Sequence, residues 1–327
     1  MKVTNKENLP QPIVDAISNE YTTTLDRYSI TTIEKGVREV LLTRRHEKEL
    51  EMDASDGMWS LLGQLMHKVL EEAQEEANQL KEEFIMIPIP YYKRKGFLPY
   101  GVAPEKDDVV ERVITISGRF DLYDGTEKEI TDYKLTSCWS YVFGGKPEWR
   151  KQLSGYGWMM RTLGFPVTKG QNVIVYRDWS RSASLRNADY PRHACQVFKY
   201  EFNDKEFVEA YNNVIEKFTA ILKYENTPDD ELPICSEEER WAKKTTYAVM
   251  KNGRKSALRV LNTDKEAVAY MAEKGGDEVV IRIGESTKCK SYCSCNHFCS
   301  FWKETYKIEE DAEQAIAATL QEGEKNE

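Results

Sequence analysis

Apolar positions along the chain change period several times, and the changes mark out its elements. Over residues 113–123 apolar and polar positions alternate among β-branched and aromatic side chains, the two-residue period of a strand. Asp124-Gly125 then signals a turn, and residues 129–135 read as the returning strand of a hairpin. A helical period precedes this hairpin. Ser29-Ile30-Thr31-Thr32 followed by Glu34 is a capping signal, with Ser29 or Thr31 as N-cap, and predicts a helix to about Arg45. Ile33, Val37, Val40 and Leu41 form its apolar face. A longer helix is expected over residues 56–83, burying a stripe of Trp59, Leu62, Leu65, Met66, Val69, Leu70 and Ala73. Beside that stripe Gly63, His67 and Glu71 stand four apart. Glycine there costs about 1 kcal/mol relative to alanine, which suits a position of close packing. Residues 84–89 read as an apolar strand that Pro88 places at an edge.

After the hairpin a helix runs from Pro147 through Leu163 and carries Gln152 and Tyr156, again four apart. Strands follow over 172–176 and 195–202, and an amphipathic helix over Asp204–Tyr224. Between the two strands lies a polar loop holding Arg177, Arg181, Arg186 and Arg192, a phosphate-contact surface by composition. The order of elements implies an α/β fold, a mixed central sheet flanked by helices. From residue 233 the pattern changes to a small ββαβ unit. It has a type I′ turn signal at Asn252-Gly253 and a basic hairpin of Lys243, Lys244, Lys251, Arg254, Lys255 and Arg259. The expected division is a loose segment over 1–27, a core over 28–232, the ββαβ unit over 233–304 and an acidic tail over 305–327.

The hairpin carries the chemistry. Asp132 and Lys134 are two apart and so face one side of a strand. In any register whose opposed residue numbers sum to an odd value, Asp121 joins them. Two carboxylates and an ammonium on one patch suit metal-assisted phosphodiester hydrolysis. The carboxylates hold Mg²⁺ or Mn²⁺, which polarises a phosphate and acidifies a water, and the lysine steadies the anion.

Composition changes this picture little. The 327 residues are 40% hydrophobic and 31% charged, ordinary for a globular protein, and no apolar run is long enough to span a membrane. The start of the chain lacks the apolar stretch of a signal peptide, so the chain reads as cytoplasmic. A net charge of −9 argues against a nucleic-acid partner only mildly, because much of the excess lies in the segment after Lys307. Seven cysteines without an export signal point to thiols or metal ligands rather than disulfides. Cys289, Cys293, Cys295 and Cys299 crowd into one short stretch after the ββαβ unit, and Cys235 lies just before it. A shared metal or cluster would close that loop as a staple. Zinc and a [4Fe–4S] cluster both fit, with Cys235, Cys289, Cys293 and Cys299 favoured as ligands and Cys295 as a spare. Cys138 and Cys195 fall inside predicted elements and are expected to be inert.

Gly63-x3-His67-x3-Glu71, Gly118-Arg119-Phe120-Asp121, Asp132-Tyr133-Lys134 and Gln152-x3-Tyr156 occur in this order on a helix, two strands and a helix. The combination resembles the RecB-like branch of the PD-(D/E)XK nuclease superfamily. The late cysteines are similar to those of its iron–sulfur members, the Cas4- and AddB-type nucleases. Pro233-Ile234-Cys235 with Glu239-Arg240-Trp241, and the run from Tyr292 to Cys299, resemble phage-encoded exonucleases of this type. The resemblance implies a restriction-endonuclease-like core in which His67, Asp121, Asp132 and the Tyr133 carbonyl bind Mg²⁺ or Mn²⁺. It implies that Lys134 positions or activates the water, that Gln152 and Tyr156 support the site and the strand, and that Glu71 stands behind the ligands. It favours iron–sulfur over zinc. The chain departs from the Cas4 and AddB pattern in having no cysteine before Cys138, in its late C-x3-C spacing and in the extra Cys295. The function expected is a metal-dependent DNA nuclease, an exonuclease on linear ends or single strands, in recombination, repair or phage DNA processing. A single-strand annealing or binding protein is the expected partner, and the host cytoplasm the location if the chain is phage-encoded. The alternatives are a non-catalytic nucleic-acid-binding or assembly module on the same fold, and a Cas4-like CRISPR adaptation nuclease.

Overall fold

The structure, a computed structural model, describes residues 1–18, 24–74, 76–142 and 144–307. It is a mixed α/β fold in two compact units. One holds Met1–Lys35 and Glu47–Asn226, the other Gly36–His46 and the chain from Thr227 onward. The long helix expected up to Arg45 is therefore divided. Ser29 accepts a hydrogen bond from the Thr31 N–H, as its capping signal implied, but it caps a single 3₁₀ turn over Ile30–Thr32. The α-helix proper starts after Gly36 and belongs to the other unit.

The first unit begins with β1 (Lys2–Thr4), α1 (Gln11–Ile17) and β2 (Arg27–Ser29). After α2 (Val37–Arg45), which belongs to the other unit, it resumes with β3 (Glu51–Asp53), α3 (Met58–Glu71) and β4 (Gln79–Lys81). It continues through β5 (Phe84–Tyr92), β6 (Gly96–Phe97), β7 (Val110–Arg119), β8 (Leu122–Asp124) and β9 (Glu129–Thr136). It ends with α4 (Trp139–Val142), α5 (Pro147–Thr162), β10 (Lys169–Tyr176), α6 (Arg181–Arg186), β11 (Cys195–Glu201) and α7 (Asp204–Tyr224). The described part of 1–27 is not loose. β1 pairs in parallel with β3, and Val14 and Ile17 of α1 bury against Ala54, with Met58 and Leu61 packed on them.

Two sheets form the body of this unit, ordered β11-β10-β9-β8-β4 and β2-β7-β5-β6. β9 is central in the first, parallel to β10 and antiparallel to β8. The single strand expected over 113–123 is two strands in two sheets. The chain leaves β7 at Arg119, turns through Phe120 and Asp121, and enters β8 at Leu122. A second strand pair makes the same change, because β4 ends at Lys81 and β5 starts at Phe84. Glu82 absorbs that corner in the left-handed region at φ +49°. The two corners bond to each other: the Glu82 N–H donates to the Asp121 carbonyl at 3.0 Å and the Phe120 N–H to that of Glu83 at 3.3 Å.

The helix expected over 56–83 ends at Glu71, and its stripe is not buried. No residue of α3 is fully buried, and Trp59, Leu62, Leu65 and Val69 are exposed. α5 is the opposite case, with Trp149, Leu153, Trp158, Met159 and Met160 all buried. A glycine decides how closely α5 can approach β7. A Cβ on Gly118 would lie 2.5 Å from the Tyr156 ring.

The second unit begins with α2 and continues with β12 (Thr246–Met250), β13 (Arg259–Leu261), α8 (Asp264–Lys274) and β14 (Glu278–Arg282). These make the antiparallel sheet β13-β12-β14 with one helix, and α9 (Thr287–Ser291) and α10 (Ser300–Thr305) follow. The hairpin does not close in a two-residue turn at Asn252-Gly253. Val249 pairs with Arg259, so a longer loop spans the strands, with Gly253 at φ +82° inside it. The acidic tail lies outside the described residues from 308 on.

Candidate metal and nuclease site

The site forms where the two sheet-changing corners meet β9. β8 pairs with β9 so that Leu122 faces Thr131, an odd sum that sets Asp121 beside Asp132. Asp121 accepts a hydrogen bond from the Tyr133 N–H at 2.5 Å. His67 reaches in from α3. Its Nδ1 lies 3.1 Å from Glu82 Oε1 and 3.4 Å from Asp121 Oδ1. Ligand atoms of His67, Glu82 and Asp121 lie within 4.8 Å of one another, and among the described residues no other His, Cys, Asp or Glu group is so close.

Asp132 is held differently. Lys134 Nζ donates to its Oδ1 and Asn172 Nδ2 to its Oδ2, both at 2.9 Å. The parallel register of β10 on β9 sets Asn172 directly opposite Asp132. Lys134 also donates to Gln152 Oε1 at 2.9 Å, and Gln152 hydrogen-bonds the buried Tyr156 hydroxyl. Tyr133 turns its ring edge-on to His67 with centroids 6.3 Å apart. Residues expected to converge thus do so in two linked groups. One is His67 and Asp121, the other Asp132, Lys134, Gln152 and Tyr156.

Glu71 is not brought in. Its carboxylate faces away and pairs with Lys68 at 3.0 Å, half exposed. Glu82 takes the acidic place beside His67 instead. Periodicity hid it by running the helix through residue 83, although a polar pair between apolar runs can signal a corner. Asn172 was also missed, and the signal was a lone amide within a β-branched strand.

The site is short of positive charge. Burial, and then the charge of Asp132, push the Asp121 carboxyl up to about 7 from its ordinary 3.8, and burial raises Asp132 as well. Asn172 Oδ1 is buried without a hydrogen-bond partner. Buried carboxylates this close cannot all ionise unless a cation joins them. Oxygen donors with one imidazole suit Mg²⁺ or Mn²⁺. The donor set fits such an ion.

The cysteines gather in the second unit. Cys293 and Cys295 lie 3.6 Å apart and share a hydrogen bond that lowers the Cys293 thiol and raises Cys295. Burial pushes Cys235 up to about 12 and Cys289 to about 11, with Cys293 and Cys299 adding to the latter. Helix α2 closes over them. Cys295 Sγ lies 3.7 Å from the Glu39 carbonyl, and a Cβ on Gly36 would meet Cys235 Sγ at 2.4 Å. Buried Arg38 binds the carbonyls of Asp230, Leu232 and Pro233, the Ser300 hydroxyl at 2.8 Å and Cys299 Sγ at 3.6 Å. Neighbouring thiols, buried at Cys295 and Cys299 and partly buried at Cys235, Cys289 and Cys293, beside a cation suit a thiolate-bound metal or cluster. Cys138 is buried elsewhere, bonded to the Tyr190 hydroxyl at 3.1 Å, and Cys195 is exposed on β11.

No family model matches the chain, and no curated protein matches it. Among solved structures it is similar to SSO0001, at 16% identity and a TM-score of 0.40, over 66% of this chain and 85% of that one. It is also similar to a phage-related exonuclease from Haemophilus somnus 129PT, at 17% identity and a TM-score of 0.23, over 34% of this chain and 54% of that one.

Proposed function

We propose that the protein is a Mg²⁺- or Mn²⁺-dependent DNA nuclease acting at linear ends or single strands. The observation that carries this is the convergence of His67, Glu82 and Asp121 on one point, with the Lys134–Asp132 pair beside it. His67, Glu82 and Asp121 would hold the cation, with Asp132 and the Tyr133 carbonyl as further oxygen donors beside it. A bound cation supplies charge for the phosphate oxygens and lowers the pKa of a water. Lys134 orients the attacking water through its ammonium, which Asp132 and Gln152 hold in place. Tyr156 buttresses Gln152 from the core. A Lys–Asp pair alone is common on protein surfaces. A part-buried one next to a His-Glu-Asp cluster short of positive charge has little structural use without a cation.

In the same reading Cys235, Cys289, Cys293 and Cys299 bind a [4Fe–4S] cluster, or zinc, that staples the second unit. The PD-(D/E)XK, RecB-like resemblance favours iron–sulfur, together with roles in recombination, repair or phage DNA processing. A single-strand annealing or binding protein is the partner proposed. A cytoplasmic setting, the host's if the chain is phage-encoded, belongs to this reading; among the described residues no helix is long and apolar enough to cross a membrane.

Digestion of end-labelled linear DNA and of closed circular DNA with Mg²⁺, Mn²⁺ or EDTA tests the reading, with wild type and Asp132→Ala side by side. Metal-dependent loss of linear DNA alone, abolished in the variant, establishes an exonuclease here. Cutting of the circle moves it to an endonuclease. Binding without cleavage of either leaves a nucleic-acid-binding module, and the catalytic reading falls.

A further inference from the structure

Helix α3 enters the site with His67 and leads away from it along an open side. Trp59, Gly63 and His67 are four apart, so they line one side of the helix over roughly 12 Å. Gly63, expected to allow close packing, packs against nothing: a Cβ there meets no atom within 4 Å. At the far end Trp59 is 56% exposed, and the Arg177 guanidinium lies 4.1 Å from its ring centroid. A second route reaches the same pair. The Arg177 N–H donates to the Thr136 carbonyl at 2.9 Å, and Thr136 lies two residues beyond Lys134 on β9, roughly 7 Å along the strand. The tryptophan–arginine pair thus stands within two or three nucleotide lengths of both catalytic groups.

An exposed tryptophan alone is unremarked on any surface. Here it is joined to an open gap and to uncompensated positive charge. Arg177, Arg181, Arg186 and Arg192 are exposed, and none has an acidic partner among the described residues. An exposed ring beside an arginine without an acidic partner is the kind of surface on which an unpaired base stacks while its phosphate meets the cation.

We infer that the side of α3 running from His67 across Gly63 to Trp59 is the track of a single DNA strand, with an unpaired base stacked on Trp59. This rests on the nuclease reading for its direction, because the strand must end at the carboxylates. Arg177, cationic at the Trp59 ring and without an acidic partner among the described residues, favours DNA over a second copy of this chain as the occupant of this face.

The test is fluorescence anisotropy of a fluorescein-labelled oligodeoxythymidine with the full chain in EDTA, where binding is read without cleavage. Trp59→Ala weakens binding by about tenfold, the scale of one lost base stack, while Trp59→Phe keeps most of it. Gly63→Gln fills the gap and also weakens binding, with a thermal midpoint no lower than wild type. Wild-type affinity in both Trp59→Ala and Gly63→Gln overturns the track. So does unchanged binding by Trp59→Ala together with loss of a dimer in sedimentation, which would make this face a contact between copies. The two readings fail separately. Trp59-dependent binding with no cleavage in Mg²⁺ or Mn²⁺ leaves the track and removes the nuclease. Undiminished binding and cleavage of single strands by Trp59→Ala does the reverse.

Discussion

Glu82 and Asp121 face each other across two hydrogen-bonded corners, and each has its own measurable consequence. Glu82→Gln removes a charge from the proposed cation site but keeps its size. We expect Mn²⁺ affinity by calorimetry, and cleavage with it, to fall by about 10- to 100-fold with the fold intact. Unchanged affinity would remove Glu82 from the ligand set. Asp121 gives a pH dependence. Its folded pKa of about 7 lies above the ordinary 3.8, so between those values the metal-free folded state holds a proton that the unfolded chain has released. Stability of the metal-free protein therefore falls as pH rises from about 4 to 7, by about 4 kcal/mol over roughly three pH units, and levels off above. Denaturant titration across that range checks it, and Asp121→Asn flattens the slope. Asp121, Asp132 and Lys134 were legible as one patch because strand period and register parity fix which residues share a face. Glu82 was not legible, because its place depends on a left-handed corner that no periodicity reports.

The elements show where pattern reading works and where it stops. α7 was legible end to end, with its Asn203–Glu206 capping box and five buried apolar positions. α3 was legible in type but not in burial. An amphipathic stripe states that a face is apolar, and what covers the face lies elsewhere in the molecule. The division of residues 113–123 between two sheets was illegible for a similar reason, since both halves alternate and only tertiary pairing ends one sheet at Arg119. Gly118 marks the end of that first half. Gly118→Ala sets a methyl against the Tyr156 ring, and we expect a loss of about 1–3 kcal/mol in urea denaturation. The displaced Tyr156 also disturbs Gln152 and Lys134. A variant as stable and active as wild type would mean that α5 yields at no cost.

At the scale of the whole molecule, the second unit is assembled from two stretches of sequence far apart. α2 supplies Arg38 and Glu39 to partners that arrive only after Thr227: Arg38 to Leu232 and Ser300, Glu39 to Lys288 at 2.6 Å. A chain ended at Asn226 keeps α2 and loses all of these, leaving the Arg38 guanidinium without the carbonyls and hydroxyl that satisfy it. We expect that truncated chain to be poorly soluble, and a monodisperse, folded product in gel filtration would contradict this. If the proposed metal staple is right, replacing Cys235 or Cys299 by alanine lowers the unfolding temperature and the iron or zinc content, read by metal analysis. Equal metal content in the variants would dismiss those thiols as ligands. The divided second unit was illegible because one capping signal and one apolar period run smoothly across Gly36. It also sets a clock on biosynthesis. At about 5–20 residues per second, the roughly 190 residues between His46 and Cys235 occupy the ribosome for on the order of 10–40 s. Throughout that interval α2 waits for the residues that will cover it. Translation rate and chaperone supply should therefore affect the yield of intact protein.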